Sequence, residues 1–133
     1  NIYLPTEVTN TNIMRRKPYR RKDRFGHEVQ KILSDLILKE IDTTKVGFTT
    51  ISDVKMSNDL RSARIYVSVL NRNIPVKHIE NYFQSRGKYL RKLLGNELTA
   101  KSVPELKFYY DDSFEEVEKI DRLLSEARSQ IKK

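Results

Sequence analysis

The sequence predicts one α+β domain in the order α-β-β-α-kink-α-β-α, preceded by a flexible basic arm. Three observations carry this reading. Four stretches repeat apolar residues at helical spacing, three shorter runs are rich in β-branched residues or alternate apolar with polar, and 133 residues suffice for a single domain. A chain of this length buries about two-thirds of the surface it exposes when unfolded, so a core forms without disulfide or structural metal.

Residues 1–23 show neither periodicity, and Pro5 and Pro18 interrupt them, so they read as the arm, with the domain at 24–133. Met14 is a candidate start, which would make 1–13 an expression remnant; the Arg-rich, acid-poor arm equally fits a presequence remnant. Asp23 is placed to cap a helix over 24–41, whose stripe is Phe25, Val29, Ile32, Leu33, Leu36, Ile37 and Ile41. A loop over 42–47 follows. Two strands, 48–57 and 62–70, are joined by the turn Ser57-Asn58-Asp59-Leu60 as a hairpin. Ala63, Ile65, Val67 and Val69 face one way, while Ile51 is out of phase with Val54 and Met56, which predicts a bulge in the first strand. Pro75 opens a short helix with Ile79, Tyr82 and Phe83 inward. Ser85-Arg86-Gly87 interrupts it, and Leu90, Leu93, Leu94 and Leu98 continue a second helix beyond the kink. A third strand spans 103–110, with Pro104 at its start or on an edge. A capping box of Ser113 and Glu116 begins the last helix, striped by Val117, Ile120, Leu124, Ala127 and Ile131.

The formal net charge of +8 points to a polyanionic partner, and its distribution is local. Residues 1–24 carry +5 and 77–107 carry +4, against +1 for 25–76 and −2 for 108–133. Seven cations fall within ten residues, Arg15, Arg16, Lys17, Arg20, Arg21, Lys22 and Arg24, with Tyr19 and Phe25 among and beside them. The second block is Arg86, Lys88, Arg91 and Lys92. A helix starting at Gly87 aims its free N–H groups at a phosphate and sets Lys88, Arg91 and Lys92 on one face. A solvated helix face is the competing reading. Arg61 and Arg64 lie near the hairpin turn and on the outward face, either for a polyanion or paired with Asp59 or Asp53. Tyr66 and Tyr109 are left outside the expected site.

The stretches Ile51-Ser-Asp-Val-Lys-Met-Ser-Asn-Asp-Leu60, Ala63-Arg-Ile-Tyr-Val-Ser-Val-Leu70 and Val103-Pro-Glu-Leu-Lys-Phe-Tyr-Tyr-Asp-Asp-Ser113 resemble signature segments of the ribosome-binding factor A (RbfA) family, in register over about residues 20–128. The resemblance implies a type II KH-like α+β domain that binds the immature small (30S) ribosomal subunit and its 16S-type rRNA and assists late rRNA processing or maturation. It implies a cytoplasmic protein, or one of an organellar matrix if the arm is a presequence remnant, that is monomeric off the ribosome. A KH domain clamps nucleic acid with a GXXG loop, and this chain has none. The family carries an Ala-x-Gly kink instead. Ser85 here replaces the Ala, and its hydroxyl is expected to cap the following helix.

No enzyme is expected. Without Cys there is no thiolate nucleophile or zinc knuckle, and P-loop, GxGxxG and GxSxG motifs are missing. Asp111, Asp112, Glu115, Glu116 and Glu118 sit where a helix begins, so its dipole explains them better than acid-base chemistry. His27 and His78 stand apart at expected helix surfaces, without a metal's other ligands. No cofactor, metal, small-molecule substrate or membrane partner is expected, since no apolar run nears the roughly 20 residues that span a bilayer. The alternative is a protein-interaction module pairing through the 117–131 stripe, although two heptads are short for a coiled coil and packing on its own domain is the simpler use.

Overall fold

The computed structural model describes residues 21–99 and 102–131. Helix α1 (Arg21–Glu40) leads through a short 3-10 turn (Thr43–Lys45) to strands β1 (Thr49–Met56) and β2 (Ser62–Val69). Helices α2 (Val76–Ser85) and α3 (Gly87–Glu97), strand β3 (Glu105–Tyr110) and helix α4 (Ser113–Ile131) follow. The predicted α-β-β-α-kink-α-β-α order holds, and the sheet runs β1-β2-β3 with the hairpin antiparallel and β2-β3 parallel. A parallel pair needs a long crossover, and the kinked pair α2-α3 supplies it.

The helical stripes cover one face of this sheet. Helix α1 packs on β1 and α3, and α2 packs on β3. Val29, Leu33, Ile65, Val67, Ile79, Phe83, Leu90 and Leu94 are fully enclosed, each contributing roughly 1.5–3 kcal/mol by leaving water. Gly26 allows α1 to cross β1 closely, for a Cβ there would stand 3.3 Å from the Val54 carbonyl oxygen. The expected bulge lies between Ile51 and Asp53, where the register with β2 slips. Thr49 and Ile51 before it and Val54 and Met56 after it all point inward. The bulge is what keeps both halves of the strand in phase with the core.

Several boundary expectations are corrected. Helix α1 includes Arg21, Lys22 and Asp23, so the assigned arm overlaps it and Asp23 lies in its first turn rather than capping it. Pro75 is the residue before α2, extended at φ −61° and ψ 145°, rather than its first helical residue. At α4, Ser113 is already helical. The carboxylate of Asp111 accepts from its backbone N–H at 3.0 Å and its hydroxyl at 2.6 Å, which replaces the expected Ser113–Glu116 box. The Ser113 hydroxyl first, then the Ser52 hydroxyl, which donates to the same carboxylate at 2.7 Å, and then the Ser113 N–H hold the Asp111 carboxyl below the usual carboxylate range. The larger correction concerns the α4 stripe, which does not pack on its own domain: no residue of α4 is buried, and Val117, Ile120 and Leu124 each keep more than half of their surface exposed.

Candidate nucleic-acid interface

Cations distant in sequence meet at the hairpin end of the domain. The start of α1 lies across the β1-β2 turn, and Lys22 Nζ donates to Asn58 Oδ1 at 2.9 Å. On one side, Arg21, Arg24 and Arg61 line a cleft of about 650 Å³ with Phe25, Glu28, Asp59, Leu60 and Ser102. On the other, Lys22, Lys55 and Arg64 line a groove of about 310 Å³ with His27 and Asp53. Lys55 was not singled out in the sequence. Its signal was there, since it occupies an outward position of an alternating strand.

The turn that presents Arg61 is built by Asp59. Its carboxylate accepts from Ser57 Oγ at 2.7 Å and from the Arg61 backbone N–H at 3.0 Å, which holds it below the ordinary aspartate range, the serine bond contributing most. Leu60 closes the turn in the left-handed region at φ 63°. Asp59 is thus occupied by the turn itself, and Asp53 lies 3.9 Å from Lys55 rather than pairing with Arg64.

At the kink the four expected cations divide. Arg86 sits between the helices at φ −100° and ψ 4°, and its guanidinium lies 3.5 Å from the centre of the Tyr82 ring. It donates to the Tyr82 carbonyl at 2.9 Å and to Ser85 Oγ at 3.0 Å, so it finishes the last turn of α2 instead of reaching outward. Ser85 Oγ donates to the Tyr82 carbonyl at 2.8 Å, so it caps the end of α2 and not the start of α3 as expected. Gly87 is buried, and a Cβ there would make ordinary contact, 3.4 Å from Gln84 Nε2 and 3.9 Å from the Phe108 ring, so only a side chain reaching further would press on the sheet. Arg91 donates to the carbonyls of Pro104 at 3.1 Å and Val103 at 2.8 Å. Lys88 and Lys92 are exposed. Lys88 and Arg91 share a groove of about 300 Å³ with Lys107 and Glu105, which adds Lys107 to the cations read from the sequence.

One segment joins the two basic regions. Arg91 binds its carbonyls at Val103 and Pro104, while the Glu105 backbone N–H donates to the Arg61 carbonyl at 2.9 Å. Residues 102–105 therefore abut both the hairpin tip and α3. Arg15, Arg16, Lys17, Arg20 and Tyr19 lie outside the described residues. Phe25, the first residue of the expected helical stripe, is a core residue that also lines the cleft beside Arg21, Arg24 and Arg61. His27 and His78 are exposed on helices. Among the described residues no group of three or more His, Asp or Glu is placed to hold a metal, and no helix is long and apolar enough to cross a membrane.

Fold and charge together define a small basic α+β domain built around a helix-kink-helix crossover. The family model for ribosome-binding factor A matches residues 21–124, and the chain belongs to that family. Among its relatives are the ribosome-binding factor A of Halothermothrix orenii, 36% identical over 83% of this chain and 90% of the relative, and that of Geobacter sp. strain M21, 37% identical over 80% and 90%. Among solved structures, a Thermotoga maritima protein described as a candidate ribosome binding factor A is 30% identical with a TM-score of 0.58, covering 70% of this chain and 89% of that one. The ribosome-binding factor A of Thermus thermophilus shares the fold at 16% identity with a TM-score of 0.60, over 68% of this chain and 97% of its own. A homology model of the Thermus thermophilus factor, fitted into the map of a complex with the 30S subunit, has a TM-score of 0.54 at 16% identity, covering 65% of this chain and 91% of that one.

Proposed function

We propose that this chain binds the immature small (30S) ribosomal subunit through its 16S-type rRNA and assists late maturation of that RNA, without catalysing a reaction. The observation that supports this reading is that residues 102–105 abut both cation blocks, Arg91 of α3 holding the carbonyls of Val103 and Pro104 and the Glu105 N–H donating to the Arg61 carbonyl. Such a surface gathers phosphates. The arm cations Arg15, Arg16, Lys17 and Arg20 extend the footprint, and Arg86 contributes as the fastener of the kink. Family membership supports the ribosome as partner, as does the Thermus thermophilus relative fitted to a 30S complex. The test is co-sedimentation with small subunits over a salt series. With about six to eight phosphate contacts, log K falls against log salt with a slope of roughly −4 to −7; a slope near zero overturns the reading.

The exposed α4 stripe favours a second reading, a module that pairs with a protein helix. Under it, sedimentation follows a protein partner and survives nuclease treatment.

A further inference from the structure

The sheet face turned away from the helices carries side chains that the interface above does not use. Tyr66 and Tyr109 are register partners across the parallel ladder, and their rings stack with centroids 5.7 Å apart and planes 29° apart. Tyr109 keeps 39% of its surface exposed within β3. The other three tyrosines of the described residues use their hydroxyls to fasten the fold, Tyr82 to the Asp42 carbonyl, Tyr89 to Glu40 and Tyr110 to Glu115. The Tyr66–Tyr109 pair is held ring to ring.

Two residues along each strand, Lys55, Arg64 and Lys107 are successive register partners across all three strands, and all are exposed. The open face thus presents an aromatic pair with a row of three cations beside it. Three acids border this arrangement. Asp53, the register partner of Tyr66, lies 3.9 Å from Lys55 and accepts the Val54 N–H at 2.8 Å; Asp111 accepts from Ser52 Oγ at 2.7 Å just beyond the tyrosines; and Glu105 stands at the start of β3. The separation of the two rows is about 7 Å along the strands, a spacing that suits a base on the rings and a neighbouring phosphate on the cations.

We propose that this face is a stacking platform for an unpaired nucleotide of single-stranded RNA, the base extending the Tyr66–Tyr109 stack and its phosphates meeting Lys55, Arg64 and Lys107. This rests on the reading of the chain as an rRNA-binding factor and adds to its cations the stacked tyrosine pair, which that reading does not contain. Charge selects the occupant. Of these acids only Asp53 lies within 4 Å of a cation of the row, so a protein strand or helix seated here would bury Arg64 and Lys107 away from any ion-pair partner among the described residues, whereas a nucleotide supplies both the π-face and the anion. Stacking tolerates any base, so the site selects unpaired RNA rather than a sequence.

The test compares binding of the full chain to a mixed-sequence RNA decamer and to an abasic decamer with the same phosphates, followed by fluorescence anisotropy at low salt. The platform requires the natural decamer to bind about 5- to 150-fold more tightly. Replacing both tyrosines, Tyr66→Leu with Tyr109→Leu, abolishes that preference and leaves abasic binding unchanged, while Tyr66→Phe with Tyr109→Phe retains it. Should the Leu pair misfold by circular dichroism, the single Tyr109→Leu at the exposed ring is read in its place, with loss of the preference expected and its persistence overturning the platform. Equal, salt-dependent binding of both decamers by the parent overturns the platform and leaves the electrostatic reading standing, with a protein segment as the occupant to pursue. A preference that persists in a folded Leu pair also overturns it. Binding of neither decamer overturns the platform and the rRNA reading together.

Discussion

Helices α1 and α4 are nearly equal in length, 20 and 19 residues, and both carry an apolar stripe at helical spacing, yet their fates are opposite. Helix α1 buries Phe25, Gly26, Val29, Leu33, Leu36 and Ile37, whereas α4 buries nothing. The difference lies in what stands opposite each stripe. Helix α1 meets the inner face of β1, and α2 and α3 fill the rest of that face. By the time the chain leaves β3 the apolar sheet surface is spent. An amphipathic pattern states that a helix has a face to cover and does not say that its own domain covers it.

A single anchor sets where α4 departs. Arg72 Nε and Nη2 grip both oxygens of Glu115, with the shortest contact 2.8 Å, and Arg72 Nη1 holds the Ile74 carbonyl at 2.7 Å. Tyr110 donates its hydroxyl to the same carboxylate and accepts the Val69 N–H at 3.2 Å, and the guanidinium lies 5.3 Å from its ring centre. The Arg72 bonds hold Glu115 below the ordinary glutamate range, and burial, with the Glu115 bond second, pushes the Tyr110 hydroxyl up.

The comparison is broken most sharply by one substitution in each stripe. Leu33→Ala, at a fully enclosed position, is expected to cost about 2–5 kcal/mol, while Leu124→Ala on α4 stays within about 0.5 kcal/mol in denaturant unfolding. A cost for Leu124→Ala comparable to that for Leu33→Ala would mean that α4 is covered after all.

Next in size is the anchor. Arg72→Ala removes a part-buried bidentate pair and leaves Glu115 uncompensated, for an expected loss of about 1–3 kcal/mol, with faster amide exchange across the first turns of α4. Its pH dependence has a definite sign. Because the folded Glu115 has a lowered pKa, its contribution is complete above the unfolded glutamate value and is lost as pH falls from there through the folded value. Thermal melts of the parent should therefore decline over that acidic range more steeply than melts of Arg72→Ala. Parallel declines would assign the acid sensitivity to other carboxylates.

The smallest stability effect belongs to Lys88→Glu with Lys92→Glu, both exposed and clear of the core. The melting temperature moves by no more than a degree or two, while co-sedimentation with small subunits weakens at low salt. Gly87→Val provides the contrast. The backbone there requires no glycine, but the branched side chain meets Phe108, so the loss is one of packing, on the order of 1–3 kcal/mol. Unchanged subunit binding by the double Glu variant would move the RNA surface to the hairpin end.

Local patterns carried most of the architecture. The stripe of α1, the alternation in β2 and the phase slip at Ile51 each express whether neighbouring side chains share a face, and that is settled within a few residues of chain. The kink at Ser85-Arg86-Gly87 was legible in the same way, and so were two blocks of cations. What those cations do was not. Arg86 and Arg91 look like Lys88 and Lys92 in the sequence, but the fold brings carbonyls of Tyr82, Val103 and Pro104 within reach of the two guanidiniums and leaves the two ammonium groups in water. Burial of the last helix was misjudged for a related reason, since an apolar face is covered only if an uncovered one remains, and that is a property of the whole assembly. The pairing of Tyr66 with Tyr109, and of Lys55 and Arg64 with Lys107, came from the parallel register of β2 and β3. No local pattern encodes that register; it exists once the helix-kink-helix crossover has carried the chain back beside β2, because only packing decides which strands become neighbours.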